Sequence, residues 1–214
     1  MIISGGKMNK EKTTRVLNYL EELFPDAYCE LNHDSDFQLL VAVMLSAQTT
    51  DKKVNELTKD LFKKYPDVKT MSQASLIQLQ EDIKTIGLYR NKAKNLLAMS
   101  KMLIEKYDGK VPSAQKELES LPGVGRKTAN VVRSVAFDIP AFAVDTHVER
   151  ISKRLGFAKK DDNVLNVEKK LCRSIPKERW NKAHHQFIFL VDIFVKQLIQ
   201  IVKNVNCLIC VKIL

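Results

Sequence analysis

The chain has 214 residues, 45% of them hydrophobic, enough to bury a core in one large domain or two small ones. Lys and Arg outnumber Asp and Glu 35 to 25, and the net charge of +10 points to a polyanionic partner, because basic side chains release counterions from phosphates. Four cysteines (Cys29, Cys172, Cys207, Cys210) form no disulfide framework and residues 1–7 are too short for a signal-peptide core, so a secreted scaffold is excluded and a cytoplasmic protein expected.

Met8-Asn9-Lys10-Glu11 reads as a more natural start than Met1. Val16, Leu17, Leu20, Leu23 and Phe24 recur at helical spacing and predict a helix over 9–24, ending before Pro25. Ser35 or Asp36 caps a second helix, 37–47, whose run Leu39–Leu45 is apolar all round and therefore central. Ser46-Ala47-Gln48-Thr49-Thr50-Asp51 ends it at the edge of the core, and Asp51 then caps a helix over 52–65. Residues 72–86 read as one helix, with Leu76, Leu79 and Ile83 on one face and Gly87 ending it.

Leu88-Tyr89-Arg90-Asn91-Lys92-Ala93-Lys94 opens the next helix, to Tyr107. Leu88 reads either as a hydrophobic staple or as an apolar wedge whose cationic flank is Arg90 and the two lysines. Residues 111–120 lead into a turn. Further helices are predicted over 126–137, 145–155 with Gly156 at its end, 163–175 and 177–189. Almost nothing reads as strand before residue 186, and no repeat or Pro-rich hinge divides the chain, so the expected class is all-α.

The most informative stretch is Leu121-Pro122-Gly123-Val124-Gly125-Arg126-Lys127-Thr128-Ala129-Asn130-Val131-Val132. Pro presets a turn, Gly accepts positive φ, and a new helix starts near Gly125. Its first turn offers backbone N–H groups and a positive dipole end to a phosphate, without reading any base. Arg126 and Lys127 sit where the dipole disfavours cations, and a lysine is a nucleophile only as the neutral amine. Eighteen residues later, Asp145-Thr146-His147-Val148-Glu149-Arg150 offers Asp145 as an N-cap carboxylate. Set near Lys127 it makes a base–nucleophile pair; otherwise it caps and no more.

LPGVGRKTANVV followed by VDTHVERISKRLG resembles the helix-hairpin-helix DNA glycosylase superfamily, in particular its bacterial endonuclease III branch, over about residues 10–189. The resemblance implies a two-lobed all-α fold: residues 29–139 as a six-helix lobe, 8–28 with 140–189 as the other, and the active site in the cleft between them. It implies a base-excision repair enzyme that is both glycosylase and abasic-site lyase, acting on damaged, mainly oxidised, pyrimidines in double-stranded DNA. Lys127 matches the catalytic lysine and Asp145 the catalytic aspartate. Gly123, Val124 and Gly125, with Arg126 and Thr128, match the phosphate-binding hairpin, where a monovalent cation is also expected. Gln48 falls where the family fills the gap left by the flipped nucleotide, and Leu88 and Arg90 at a second wedge. Asp51 and His147 are placed at the pocket. A monomer acting on the nucleoid is expected, and Lys127 argues against the related adenine glycosylases, which lack this nucleophile.

The tail departs from that pattern. The family ends in Cys-x6-Cys-x2-Cys-x5-Cys, four thiolates for a [4Fe–4S] cluster. Here His184-His185-Gln186-Phe187-Ile188-Phe189 matches the approach, but LVDIFVKQLIQIVKNVNCLICVKIL follows, with only Cys207 and Cys210. A valine codon begins GT, so a preceding codon ending in T reads TGT, cysteine, one base out of frame. Val195, Val202, Val205 and Val211 all follow residues whose codons can end in T, at separations of 7, 3 and 6, the cluster spacing. One permitted shifted reading is GRYFCKTTNPNCKECKLPDMCK. A one-base slip near the codons for Phe189 and Leu190 therefore accounts for residues 190–214. A membrane anchor does not: Asp192, Lys196, Lys203 and Lys212 interrupt the run of about 18 apolar residues that spanning requires. As written, the tail is an aggregation hazard. The competing function is a helix-hairpin-helix DNA-binding protein with impaired catalysis, which hairpin and charge alone would support.

Overall fold

Most helices here begin at a side chain that can accept from the first turn. In the computed structural model, which describes residues 9–191, Asn9 accepts from Lys12 N at 2.9 Å and starts α1 (Lys10–Leu23). Ser35 caps α2 (Asp36–Leu45), Thr50 caps α3 (Asp51–Lys64), and Asp67 closes a reciprocal box with Thr70 at the head of α4 (Val68–Ser72). There follow α5 (Leu76–Asp82), α6 (Tyr89–Tyr107), α7 (Gln115–Ser120), α8 (Arg126–Ala136), α9 (Thr146–Leu155) and α10 (Val164–Ser174). A 3₁₀ turn, Lys177–Arg179, leads into α11, which runs over 180–191. No strand occurs among the described residues, as the all-α expectation requires.

The chain divides into two compact units, Cys29–Ala143 and the described parts of Met1–Tyr28 with Val144–Leu214. The core of the first is α2. Leu39, Leu40, Val41, Ala42 and Leu45 are completely buried, because a helix apolar on every side has no face to offer water. It packs on α3, α6 and α8; α4 and α5 pack on α6, and α7 on α8. Asn130 on α8 is buried and its Nδ2 donates to Phe142 O at 3.1 Å, fixing the strap that follows α8 in this unit.

In the second unit α9 packs on α10. Glu21 on α1 gathers donors from the far end of the chain. Arg179 Nη2 lies 3.3 Å from its Oε2 and Gln186 Nε2 3.0 Å, and Lys182 Nζ bonds its Oε1. The Lys182 hydrogen bond, then that of Gln186, holds the Glu21 carboxyl below its ordinary range. Gln186 also donates to Phe24 O, and the Phe24 and Phe189 rings stand 5.9 Å apart.

Several boundaries differ from the sequence expectation. The helix expected over 72–86 is two short ones, because the Asp67–Thr70 box starts α4 early and Ser75 restarts the chain as α5. Leu79 and Ile83 are buried as expected, whereas Leu76 is 37% exposed. Thr50, not Asp51, is the cap of α3: its hydroxyl accepts from Lys53 N, and Asp51 is the first helical residue. The 177–189 helix begins instead at 180, behind the 3₁₀ turn. The choice between Met1 and Met8, Cys207 and Cys210, and the tail from residue 192 on lie outside the described residues. No helix among the described residues is long and apolar enough to cross a membrane.

Candidate functional site

The hairpin between α7 and α8 is pinned from inside. Leu121 and Val124 are buried, and Val124 N donates to Leu121 O at 3.1 Å, so the tip cannot lift away. The two glycines serve different purposes. Gly123 has φ +79°, and a Cβ there would lie 2.8 Å from Asn95 Cβ and Nδ2 on α6: both torsion and space require glycine. Gly125, the N-cap of α8, has φ −93° and ψ 176°, which any residue adopts, and a Cβ there would meet nothing within 4 Å. The positive φ expected in this turn is therefore taken by Gly123 and not by Gly125. At Gly125 the missing side chain leaves open approach to a helix start that no side chain caps, a setting suited to an anion.

Arg126, Lys127 and Thr128 form the first turn of α8. Arg126 and Lys127 are exposed and Thr128 is half-buried. Arg126 Nη1 lies 3.6 Å from Glu119 Oε1, an exposed pair that holds it weakly. Asp145, half-buried, caps α9 with one oxygen: Oδ1 accepts from His147 N at 2.9 Å and Val148 N at 2.8 Å. His147 is exposed, its Nδ1 3.2 Å from Arg150 Nη2.

Gln48 and Leu88 share a backbone signature. Both are exposed non-glycine residues in the left-handed region, with φ of +57° and +58°. Such torsions cost energy in L-residues and persist only where surroundings enforce them. Leu88, 54% exposed, is itself the N-cap of α6, so the left-handed residue is Leu88 and not Gly87. Leu88 is thus a solvent-facing apolar tip rather than a buried staple. Arg90 is exposed beside it, its guanidinium 5.0 Å from the Tyr89 ring centre.

Lys92 overturns part of the expected cationic flank. Only 7% of it is exposed, and Nζ donates to Leu45 O (2.8 Å), Ala47 O (2.7 Å) and Thr49 Oγ1 (3.1 Å). Burial pushes its ammonium below the ordinary lysine range. Sequence reasoning had no signal for this, since the acceptors lie more than forty residues away. Asn95, another residue not singled out from sequence, abuts Gly123. Asp51, half-buried at the head of α3, stays close to the Gln48 turn in sequence.

The donors present do not fit a [4Fe–4S] cluster. Cys29 lies in the first unit, its thiol pushed up by burial, and Cys172 lies on α10 in the second. No group of three His, Cys, Asp or Glu able to hold a metal occurs among the described residues. The whole sequence has only four cysteines, and only Cys207 and Cys210 are close along it.

A pinned glycine hairpin feeding a helix whose first turn carries a lysine, with a capping aspartate at the next helix, is the pattern of a class of DNA-repair protein. The chain belongs to the HhH-GPD superfamily of base excision DNA repair proteins, whose profile matches residues 41–177. Within it the likeness is to endonuclease III. The Bacillus subtilis endonuclease III is 56% identical over 182 residues, covering 85% of this chain and 83% of that one. The Synechocystis endonuclease III is 42% identical over 181 residues, 84% and 82% of the two chains. A solved structure of a trapped endonuclease III–DNA covalent intermediate, an estranged-adenine complex, superposes with a TM-score of 0.82 at 55% identity, over 85% of each chain.

Proposed function

We infer that the chain is a base-excision DNA glycosylase with abasic-site lyase activity, acting on damaged, mainly oxidised, pyrimidines in duplex DNA of the cytoplasmic nucleoid. The observation that carries this is Lys127 in the first turn of α8, directly behind an open glycine cap. The damaged nucleotide is turned out of the stack. Asp145 takes a proton from Lys127, and the neutral amine attacks C1′ of the sugar. The C1′–N bond to the base breaks and the base leaves with the bonding pair, protonated as it departs. The C1′–O4′ bond then breaks, opening the sugar ring as O4′ takes a proton, and the amine on C1′ becomes an imine; a proton leaves C2′, the C3′–O bond breaks, and the 3′ phosphate departs. Water then releases Lys127. Once the proton taken from Lys127 has been passed to the departing base, the Asp145 carboxylate stabilises the cationic sugar.

Amides at Gly123 and Gly125 and the first turn of α8, together with Arg126 and Thr128, hold a phosphate, while the Val124 amide stays on Leu121 O and shapes the hairpin, where a monovalent cation also binds. Gln48 and Leu88 fill the distorted duplex, Arg90 holds a nearby phosphate, and Asp51 and His147 border the pocket. Borohydride trapping on a duplex carrying an oxidised thymine tests this reading. A covalent adduct is expected, and it disappears in Lys127→Ala while duplex binding persists. No adduct with the unaltered chain, binding intact, would favour the second reading.

That second reading, DNA binding with impaired catalysis, is favoured by one observation: the missing cluster donors. We attribute the loss to the one-base slip described above. Resequencing the locus tests it, and an uninterrupted gene identical in frame to close relatives would refute it.

A further inference from the structure

The ammonium of Lys92 has three donors and meets three acceptors, all from the segment Leu45–Thr49. Leu45 O is one of the carbonyls that the end of α2 leaves without a helical partner, and a cation is favoured at that negative dipole end. Three oxygens on one side chain fix the turn that contains Gln48 and hold that residue at φ +57°. The other tip stands at the head of the same helix: Lys92 N, a backbone amide, donates to Leu88 O at 3.0 Å in the first turn of α6, so Lys92 joins the Gln48 turn through its side chain to the Leu88 tip through its helix. Leu88, Lys92 and Asn95 are spaced i, i+4 and i+7, so they share one face of α6, and Asn95 abuts Gly123 of the hairpin.

We propose that Lys92 is a positioning residue that locks the Gln48 and Leu88 tips into one rigid probe, so that both enter a damaged duplex together. This rests on the reading of Gln48 and Leu88 as DNA contacts. A buried lysine suits the task better than an apolar residue, which would leave Leu45 O and Ala47 O without this donor and the turn free to relax from its left-handed residue.

The test uses the full chain and a duplex carrying 2-aminopurine opposite a tetrahydrofuran abasic analogue, whose fluorescence rises as the opposite base is unstacked and which needs no catalysis. Lys92→Met is expected to abolish most of the rise at saturating protein, with the dissociation constant changed no more than about threefold, since phosphate contacts carry most of the affinity. Gln48→Ala is expected to lose the rise as well, and the double variant to be no worse than the poorer single one, because both remove the same device. Leu61→Ala, a core truncation toward the far end of α3, supplies a destabilised control that retains the rise.

If Gln48→Ala and Leu88→Ala both keep the full signal, the reading of these tips as DNA contacts fails. If they lose it and folded Lys92→Met does not, the positioning role alone is overturned, as it also is if losses from Lys92→Met and Gln48→Ala multiply. Should Lys92→Met fail to fold, Thr49→Val removes one acceptor without stranding a charge. It must then lower the signal non-additively with Gln48→Ala, and an unchanged signal overturns the proposal.

Discussion

In the proposed mechanism the carboxylate of Asp145 serves both as helix cap and as base, and Oδ1 is the oxygen that accepts from the His147 and Val148 amides. Asparagine caps helices about as well as aspartate but cannot accept a proton. Asp145→Asn is therefore expected to shift the urea midpoint by less than about 0.5 kcal/mol in stability and to slow borohydride-trapped adduct formation by roughly 100-fold or more. The hairpin glycines separate just as cleanly. Gly123→Ala forces an L-residue to φ +79° against Asn95 and should cost about 2 kcal/mol or more in urea unfolding. Gly125→Ala, whose Cβ would meet nothing within 4 Å, should stay within about 1 kcal/mol of the unaltered chain, yet weaken duplex binding, because it adds a side chain at the uncapped start of α8. Both glycines were legible in the sequence; their division of labour was not. It depends on Asn95, which sits 28 positions earlier and carries no motif of its own.

Helix identity was legible where an apolar pattern met a capping residue, as in α2 and α9, and in α1 and α6 from apolar spacing or length alone. It failed at α4, where five residues are too few to show a period and the Asp67–Thr70 box is the only local signal. The left-handed Leu88 was likewise hidden, because torsion at a non-glycine residue is imposed by its neighbours. On α11, burial pushes His185 down to about 4, so its ring is neutral in the folded chain at any pH above that. The unfolded chain takes up the proton near the ordinary histidine value of 6.5. Between about pH 6.5 and 4 the unfolded state binds more protons, so stability falls as pH falls, by up to about 3 kcal/mol. Glu21, whose carboxyl is held low by Lys182, loses its contribution only below its ordinary 4.5, so the upper part of that window reports His185. Urea unfolding between pH 7 and 5 should show this slope, and His185→Gln should flatten it.

At the scale of the molecule, the positive charge announced a polyanionic partner and the motifs announced the chemistry, because both are written in consecutive residues. Lys92 was misread as a surface cation for the opposite reason: its burial is decided by carbonyls at the end of α2, joined to it only when α6 folds back. The Glu21 cluster is of the same kind, with partners 158 and 165 positions away. That separation has a consequence for synthesis. A chain leaving the ribosome from its N-terminus completes the continuous unit Cys29–Ala143 from its own residues, and can close it early. Helix α1 emerges before that unit, but Arg179, Lys182 and Gln186 emerge only after it. Through most of translation its apolar stripe of Val16, Leu17 and Leu20 must wait, a nascent segment suited to chaperone capture. Any message cut short before residue 179 would release a chain whose helix α1 never meets the donors that hold Glu21.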